Sequence, residues 1–324
     1  MKSFYTLLFL GLLAGCTQPP TGSSASTSTT PPPAPAAAPF TSNVSDYWYQ
    51  GKAELNTYAL TQARYGELRE GTASVVFVSE DFLTDEQVKN DNYDNPNSTP
   101  ILKTNLIRRF TTGIYDYSVM TSVFTPTKTS EQPRTLKVTT SSQDWCGQSF
   151  TQLNMAGGDR YRAQLRSYFE REGDRTLDLA ADFLEDEVFN RIRSGGELPT
   201  GTFDVIPSTT YLLLNHAPYE TTEATVSLGA YSVDGEGAPS IRVGGEGFEG
   251  EQLQVYTLTY PALSRTLRVV FEAAPPHSIV GWTETYPSKG RELTTTARLT
   301  HQVLDDYWSH NSVADSMRRV ELGL

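Results

Sequence analysis

From Ser45 onward the chain is written largely in period two. β-Branched and aromatic residues alternate with polar ones in short runs that end at Gly, Pro, Asn or Asp, the pattern of strands with one buried face and one wet face. Leu267, Val269 and Phe271 alternate with Thr266, Arg268 and Val270, and Leu293, Thr295, Ala297 and Leu299 alternate with Thr294, Thr296, Arg298 and Thr300. The same reading predicts strands near 55–62, 71–80, 101–110, 114–124, 134–142, 146–155, 160–169, 209–215, 223–231, 252–260 and 278–286. Thr111-Thr112-Gly113 and Ala156-Gly157-Gly158-Asp159 are tight-turn sequences between neighbouring strands. So many strands joined by short turns predict a mainly β protein. Its core is a large curved antiparallel sheet (half-barrel, barrel or sandwich) that leaves few edges open, with one or two short helices.

Two segments break the alternation. Asp182 to Arg193 sets Phe183, Leu184, Val188 and Ile192 at helical spacing, places Glu187 four residues before Arg191 and stops at Gly195-Gly196, which predicts a short helix. Val303 to Val320 reads as partly helical around Val313, Met317 and Val320. Asp234 to Glu251, rich in Gly and Glu, reads as an exposed loop. The echo of Asp46-Tyr47-Trp48 in Asp306-Tyr307-Trp308 is too short to be a repeat.

The N-terminus follows a different pattern. Lys2, an apolar run from Phe4 to Leu12 and the small residues of Leu13-Ala14-Gly15-Cys16 read as a bacterial lipoprotein signal whose core is too short to span a bilayer. Residues 1–15 are then removed and Cys16 carries the lipid. Two or three acyl chains, at about 0.8 kcal/mol per buried methylene, hold such a protein to a membrane. Residues 17–41, built from Pro, Thr, Ser, Ala and Gly without a charge, read as a tether, and 42–324 as the globular domain. Thr17 stands where an aspartate resembles the inner-membrane retention signal, so the expected place is the outer membrane, on its periplasmic face, with the cell surface as the alternative.

The formal net charge of -12 becomes -13 once Lys2 is removed, which disfavours nucleic acid and anionic lipid as partners. With Cys16 committed to lipid, Cys146 has no disulfide partner, and burial is the expected protection for its thiol. Gly245-Glu246-Gly247-Phe248-Glu249-Gly250 matches the dinucleotide glycine pattern only formally. Its glutamates repel phosphate and a strand rather than a helix follows, so no nucleotide is expected. Asp91-Asn92-Tyr93-Asp94-Asn95-Pro96-Asn97 is rich in oxygen ligands, but an EF-hand there would meet Pro96 and Leu102 where Gly and Glu are needed. His216, His277, His301 and His310 show no zinc spacing, although His301 and Asp305 would share a helix face; no metal and no cofactor are expected.

Gln143-Asp144-Trp145-Cys146-Gly147 is the most distinctive stretch of the domain. As a nucleophile Cys146 needs a histidine that the sequence does not place nearby. As structure, Trp145 and Cys146 point to opposite faces of a strand. As a binding site, Trp145 and its neighbour Cys146 line a concave sheet and meet an apolar ligand.

The lipobox, the Trp145-Cys146-Gly147 strand, Leu198-Pro199-Thr200-Gly201 with Ile206-Pro207-Ser208, and the ending Asp306-Tyr307-Trp308 with Leu322-Gly323-Leu324 together resemble an uncharacterised group of envelope lipoproteins of Bacteroidota-type bacteria. Members of that group are sometimes labelled septum-formation inhibitors of the Maf type, which are α/β nucleotide pyrophosphatases. That label does not fit a β-alternating chain whose folded region lacks the Ser-x-Arg-Arg start, and the resemblance carries over no catalytic residue. The function expected is binding of an apolar ligand or an envelope partner without catalysis. The alternatives are an envelope glycan or peptide hydrolase using carboxylates or Cys146, which requires a cleft where ionisable groups converge, and a structural subunit of an envelope assembly, which requires an exposed apolar patch.

Overall fold

The computed structural model describes residues 44–232 and 247–324. The signal, Cys16, the tether and most of the Gly/Glu-rich loop lie outside the described residues. The fold class is as the alternation predicts: one fifteen-stranded sheet, not closed into a barrel. Its strands are β1 (Ala53–Arg64), β2 (Glu67–Leu83), β3 (Ser98–Thr112), β4 (Tyr115–Pro126), β5 (Lys137–Asp144), β6 (Gly147–Met155), β7 (Arg160–Ser167) and β8 (Arg175–Ala180). After them come β9 (Phe183–Leu184), β10 (Gly201–Ile206), β11 (Thr222–Ala230), β12 (Leu253–Tyr260), β13 (Arg265–Glu272), β14 (Ile279–Ser288) and β15 (Arg291–Asp305). The spatial order is β8 through β1 in descending number, then β15 through β9. The meander from β1 to β8 and the meander from β15 back to β10 are thus joined where the first and last strands pair, Ala53 with Asp305.

Every pairing is antiparallel except that of β9 with β10. The chain passes from edge strand β8 to edge strand β9 through Ala181 and Asp182 alone, and Thr221 Oγ1 donates to the Ala180 carbonyl at 2.6 Å. The sheet therefore curls until its two edges meet at that point, which leaves little unpaired edge.

The concave face wraps α1 (Val188–Arg193), α2 (Thr209–Asn215) and the 3₁₀ turn Glu185–Glu187. The main core joins Tyr58, Phe77, Tyr256, Leu267, Val269 and Trp282 from the sheet to Phe183, Val188 and Ile192 of the helical insert. The predicted helix is present but begins with the 3₁₀ turn, and its Glu187–Arg191 pair, 2.7 Å apart, is buried rather than on a wet face. Three strands escaped the sequence reading: β8, β9 and β10. Residues 209–215 form α2 and not the expected strand. The Asp186 carboxylate accepts the Thr209 N–H at 2.9 Å and its hydroxyl at 2.5 Å, capping the helix, and Thr209, Tyr211, Leu212 and Leu214 are buried on all sides. A run buried all round has no period to read. In the tail, β15 continues to Asp305 and the helical part is two 3₁₀ segments, Tyr307–Ser309 and Val313–Arg319. Among the described residues no helix is long and apolar enough to cross a membrane.

Candidate functional site

Three regions gather chemistry. The first is the centre of the concave face. Arg265, fully buried at the start of β13, places Nη1 and Nη2 each 2.6 Å from the Glu185 carboxylate, with Glu284 at 3.5 Å. Glu284 also accepts from Arg108 at 2.6 Å, and Arg108 reaches Gln62 at 3.4 Å and lies over the Trp282 ring. Two arginines and two glutamates balance, as charges removed from water must. Burial pushes the Glu284 carboxyl up, but Arg108 and Arg265 more than reverse this and hold it below the ordinary range. Asp186 has no such cation; burial raises it to about 6 against the hydrogen bonds from Thr209. The space these groups share with Phe189 and Trp282 measures about 40 Å³. That admits a water or two and no glycan or peptide. Two carboxyl groups with opposed shifts meet the electrostatic requirement of the hydrolase alternative, but the volume does not. What the centre does is fasten the helical insert to the sheet. Arg193–Glu54 does the same at the C-terminal end of the insert, Glu54 also accepting from Tyr47. The Glu187–Arg191 pair within the insert is tied to the segment before β5 by Thr135, which donates to Glu187, and by Arg191, which donates to the Pro133 carbonyl at 2.9 Å.

The second region lies between the β6–β8 end of the sheet and the end of α2. There the inner faces of β6, β7 and β8 stand opposite the C-terminal end of α2 and the segment that follows, leaving a groove of about 690 Å³. Leu165, Leu177, Leu212, Leu213, Phe169 and Tyr219 supply its apolar lining. Arg166, Arg171 and Arg175, all exposed, stand on its border. His216 Nδ1 lies 2.5 Å from Glu172 Oε1, its ring edge-on to Phe169, and Thr151 shares a 2.8 Å hydrogen bond with Tyr219. The geometry has a simple origin. α2 ends at His216 in a left-handed conformation and the chain turns away, so β8 lacks a covering element along its first residues, next to the β7–β8 turn. An apolar lining with a few polar groups at one end, in this size range, suits a small-molecule site.

The third region holds the two residues singled out in the sequence, and the structure corrects their setting. Trp145 and Cys146 do not lie within a strand; they are the two turn residues of the β5–β6 hairpin, whose last pair is Asp144 with Gly147. Cys146 is exposed, contrary to the expected burial, and desolvation together with the Asp144 carboxylate raises its thiol above the ordinary value. A nucleophile needs the opposite shift. Trp145 is 71% exposed, leans on Tyr115, and does not line the concave face; it borders an open depression lined by charged and polar groups such as Glu70, Arg109 and Asp116. Gly147 is required because a Cβ there would stand 2.6 Å from the Tyr168 ring. A two-residue turn between two strands carries no Gly-Asn or Asn-Gly signal here, which is why the pattern placed it in a strand.

His301 and Asp305 lie on β15, not on a helix. Asp305, Asp306 and His310 approach within metal-ligand distance of one another, but Asp305 is paired with Arg318, and Arg318 also reaches His310 Nε2 at 2.6 Å, which accounts for the cluster by protein contacts alone. The EF-hand-like stretch is a turn-rich loop, in which the Asn95 side chain accepts the Asn97 N–H at 3.0 Å and the Asn95 carbonyl accepts from Asn90 at 3.1 Å. The groove residues were missed in the sequence because they come from β6 to β8 and from α2, two of whose elements were unread or misassigned.

No family model, no curated protein and no solved structure matches this chain.

Proposed function

We propose that this chain is a lipid-anchored envelope protein of the outer membrane that binds an apolar or amphiphilic molecule in the groove between edge strand β8 and α2, without transforming it. The observation that carries the reading is the groove: about 690 Å³ of largely apolar space with arginines at its border. Burial of apolar ligand surface there is favourable by about 25 cal/mol per Å², and the mixed border of Arg166, Arg171 and Arg175 with Glu170 and Glu172 suits a polar head at the ligand's outer end. The concave face is filled by the helical insert, so the ligand lies at the sheet edge rather than under the sheet. Trp145 and Cys146 are not part of this reading, and the anchor at Cys16 rests on the sequence signal. Titration of the protein with a fluorescent fatty acid tests it. The expected result is saturable binding at one site per chain, weakened at least tenfold by Leu177→Asp or Leu213→Asp, both half-buried positions that tolerate a polar group without opening the main core. Equal binding by these variants and the parent chain contradicts the reading.

A further inference from the structure

We infer that the end of the sheet formed by the β1–β2, β3–β4, β5–β6 and β7–β8 turns docks on the surface of a zwitterionic bilayer and turns the mouth of the groove toward it; this rests on the ligand reading above. The four turns carry Tyr65 with Leu68, Ile114, Trp145 and Tyr168, and Ile114 at 83%, Trp145 at 71% and Tyr168 at 57% exposure are among the most exposed large apolar side chains of the described residues. They form a connected series. Trp145 contacts Tyr115, Tyr115 contacts Tyr117, the Tyr117 and Tyr65 hydroxyls are 2.8 Å apart, and the Tyr168 ring lies over Gly147. Tyr168 packs on Phe169, and Phe169 packs on His216 at the groove. The apolar tips and the groove mouth therefore occupy one end of the molecule.

The kind of side chain points to a membrane surface. Trp and Tyr are amphipathic rings that favour the bilayer interface, and an isolated aliphatic tip such as Ile114 gains by entering the acyl boundary. Charge selects the lipid. Acidic and basic groups alternate around the tips, Glu67 pairing with Arg69 and Arg166 lying 3.9 Å from Asp174, and the whole chain carries -12, so no basic excess draws it to anionic head groups. The ligand class supplies the need for contact: an apolar occupant resides in a membrane and must pass between it and the groove. The anchor permits it. Val44 lies at the opposite end, near Ser79, which bonds the Trp48 carbonyl. The 27 residues 17–43 reach roughly 90 Å when extended, against roughly 58 Å for the 17 residues of β2.

Flotation of the chain from Thr17 onward, which keeps every described residue and lacks the lipid, with vesicles of phosphatidylethanolamine and phosphatidylcholine tests the proposal. The expected result is co-flotation, with Trp145 fluorescence quenched by lipids brominated near the head group and the quenching abolished by Trp145→Phe. The triple variant Ile114→Ser, Trp145→Ser, Tyr168→Ser should lose at least tenfold in the bound fraction at unchanged melting temperature and unchanged fatty-acid binding in solution. Ile114→Asp alone should weaken flotation in the same direction. Absence of co-flotation, equal flotation by the variants, or binding that multiplies when phosphatidylglycerol is added would overturn it. Leu177→Asp should float as the parent chain does, so failure of the groove reading and failure of docking are seen separately.

Discussion

Arg265→Met removes the cation at the centre of the concave face. Arg265 is fully buried, makes two 2.6 Å contacts to Glu185 and reaches Glu284 at 3.5 Å. Glu284 keeps Arg108, but among the described residues Glu185 has no second ion-pair partner, so the variant leaves one carboxylate uncompensated in the interior. Breaking a buried pair from one side costs about 3–5 kcal/mol, a large part of a typical total of about 5–15. Replacing both partners, Arg265→Met with Glu185→Leu, should bring stability back to within about 2 kcal/mol of the parent, because neither charge then has to be desolvated. Urea denaturation followed by tryptophan fluorescence at pH 7 measures all three proteins. A single-variant loss below about 1 kcal/mol, or a double variant no more stable than the single one, would refute the view that the helical insert is held by a charge-balanced centre.

Three further outcomes are expected. Asp186, raised to about 6 by burial, favours the folded state fully below the unfolded value near 4, and this contribution is lost as pH rises toward 6; Asp186→Asn should remove on the order of 1–3 kcal/mol of the fall in stability between pH 4 and 7, read from urea midpoints, and an unchanged slope would contradict the assignment. Gly281→Ala should lower stability by about 1–3 kcal/mol in thermal unfolding, because its Cβ meets the Ala297 carbonyl and the Phe248 ring; a neutral effect would show that this contact yields freely. Iodoacetamide should alkylate Cys146 completely in the folded protein and faster as pH rises from 7 to 9, and Cys146→Ser should leave ligand binding intact; a protected thiol or a lost ligand would contradict its place on an exposed turn.

The strands were legible wherever a wet face and a buried face alternate, as along β13 and β15, and the Gly113 and Gly157-Gly158 turns were legible because few other residues suit them. The centre of the molecule was not. Arg108, Arg265 and Glu284 stand at inward positions of β3, β13 and β14, and a charged residue at such a position reads in the sequence as one that faces water, since its partner lies up to 176 residues away. Of the helix read over 182–193, only Val188–Arg193 is α-helical, after strand β9 and the 3₁₀ turn Glu185–Glu187; α2 was not read, because Thr209 to Tyr211 are strand-favouring residues whose helix is set by a cap from Asp186, 23 residues earlier. The groove lies between edge strand β8 and α2, and the sequence pattern showed neither, β8 being unread and α2 read as a strand.

The claim that the groove holds an apolar ligand is tested most directly by native mass spectrometry with lipid extraction, on the full chain released from its own envelope and compared with its Leu177→Asp variant. The account predicts a defined apolar or amphiphilic molecule retained one per chain by the parent and absent from the variant. A parent chain free of any such molecule, or equal retention by both, would contradict it.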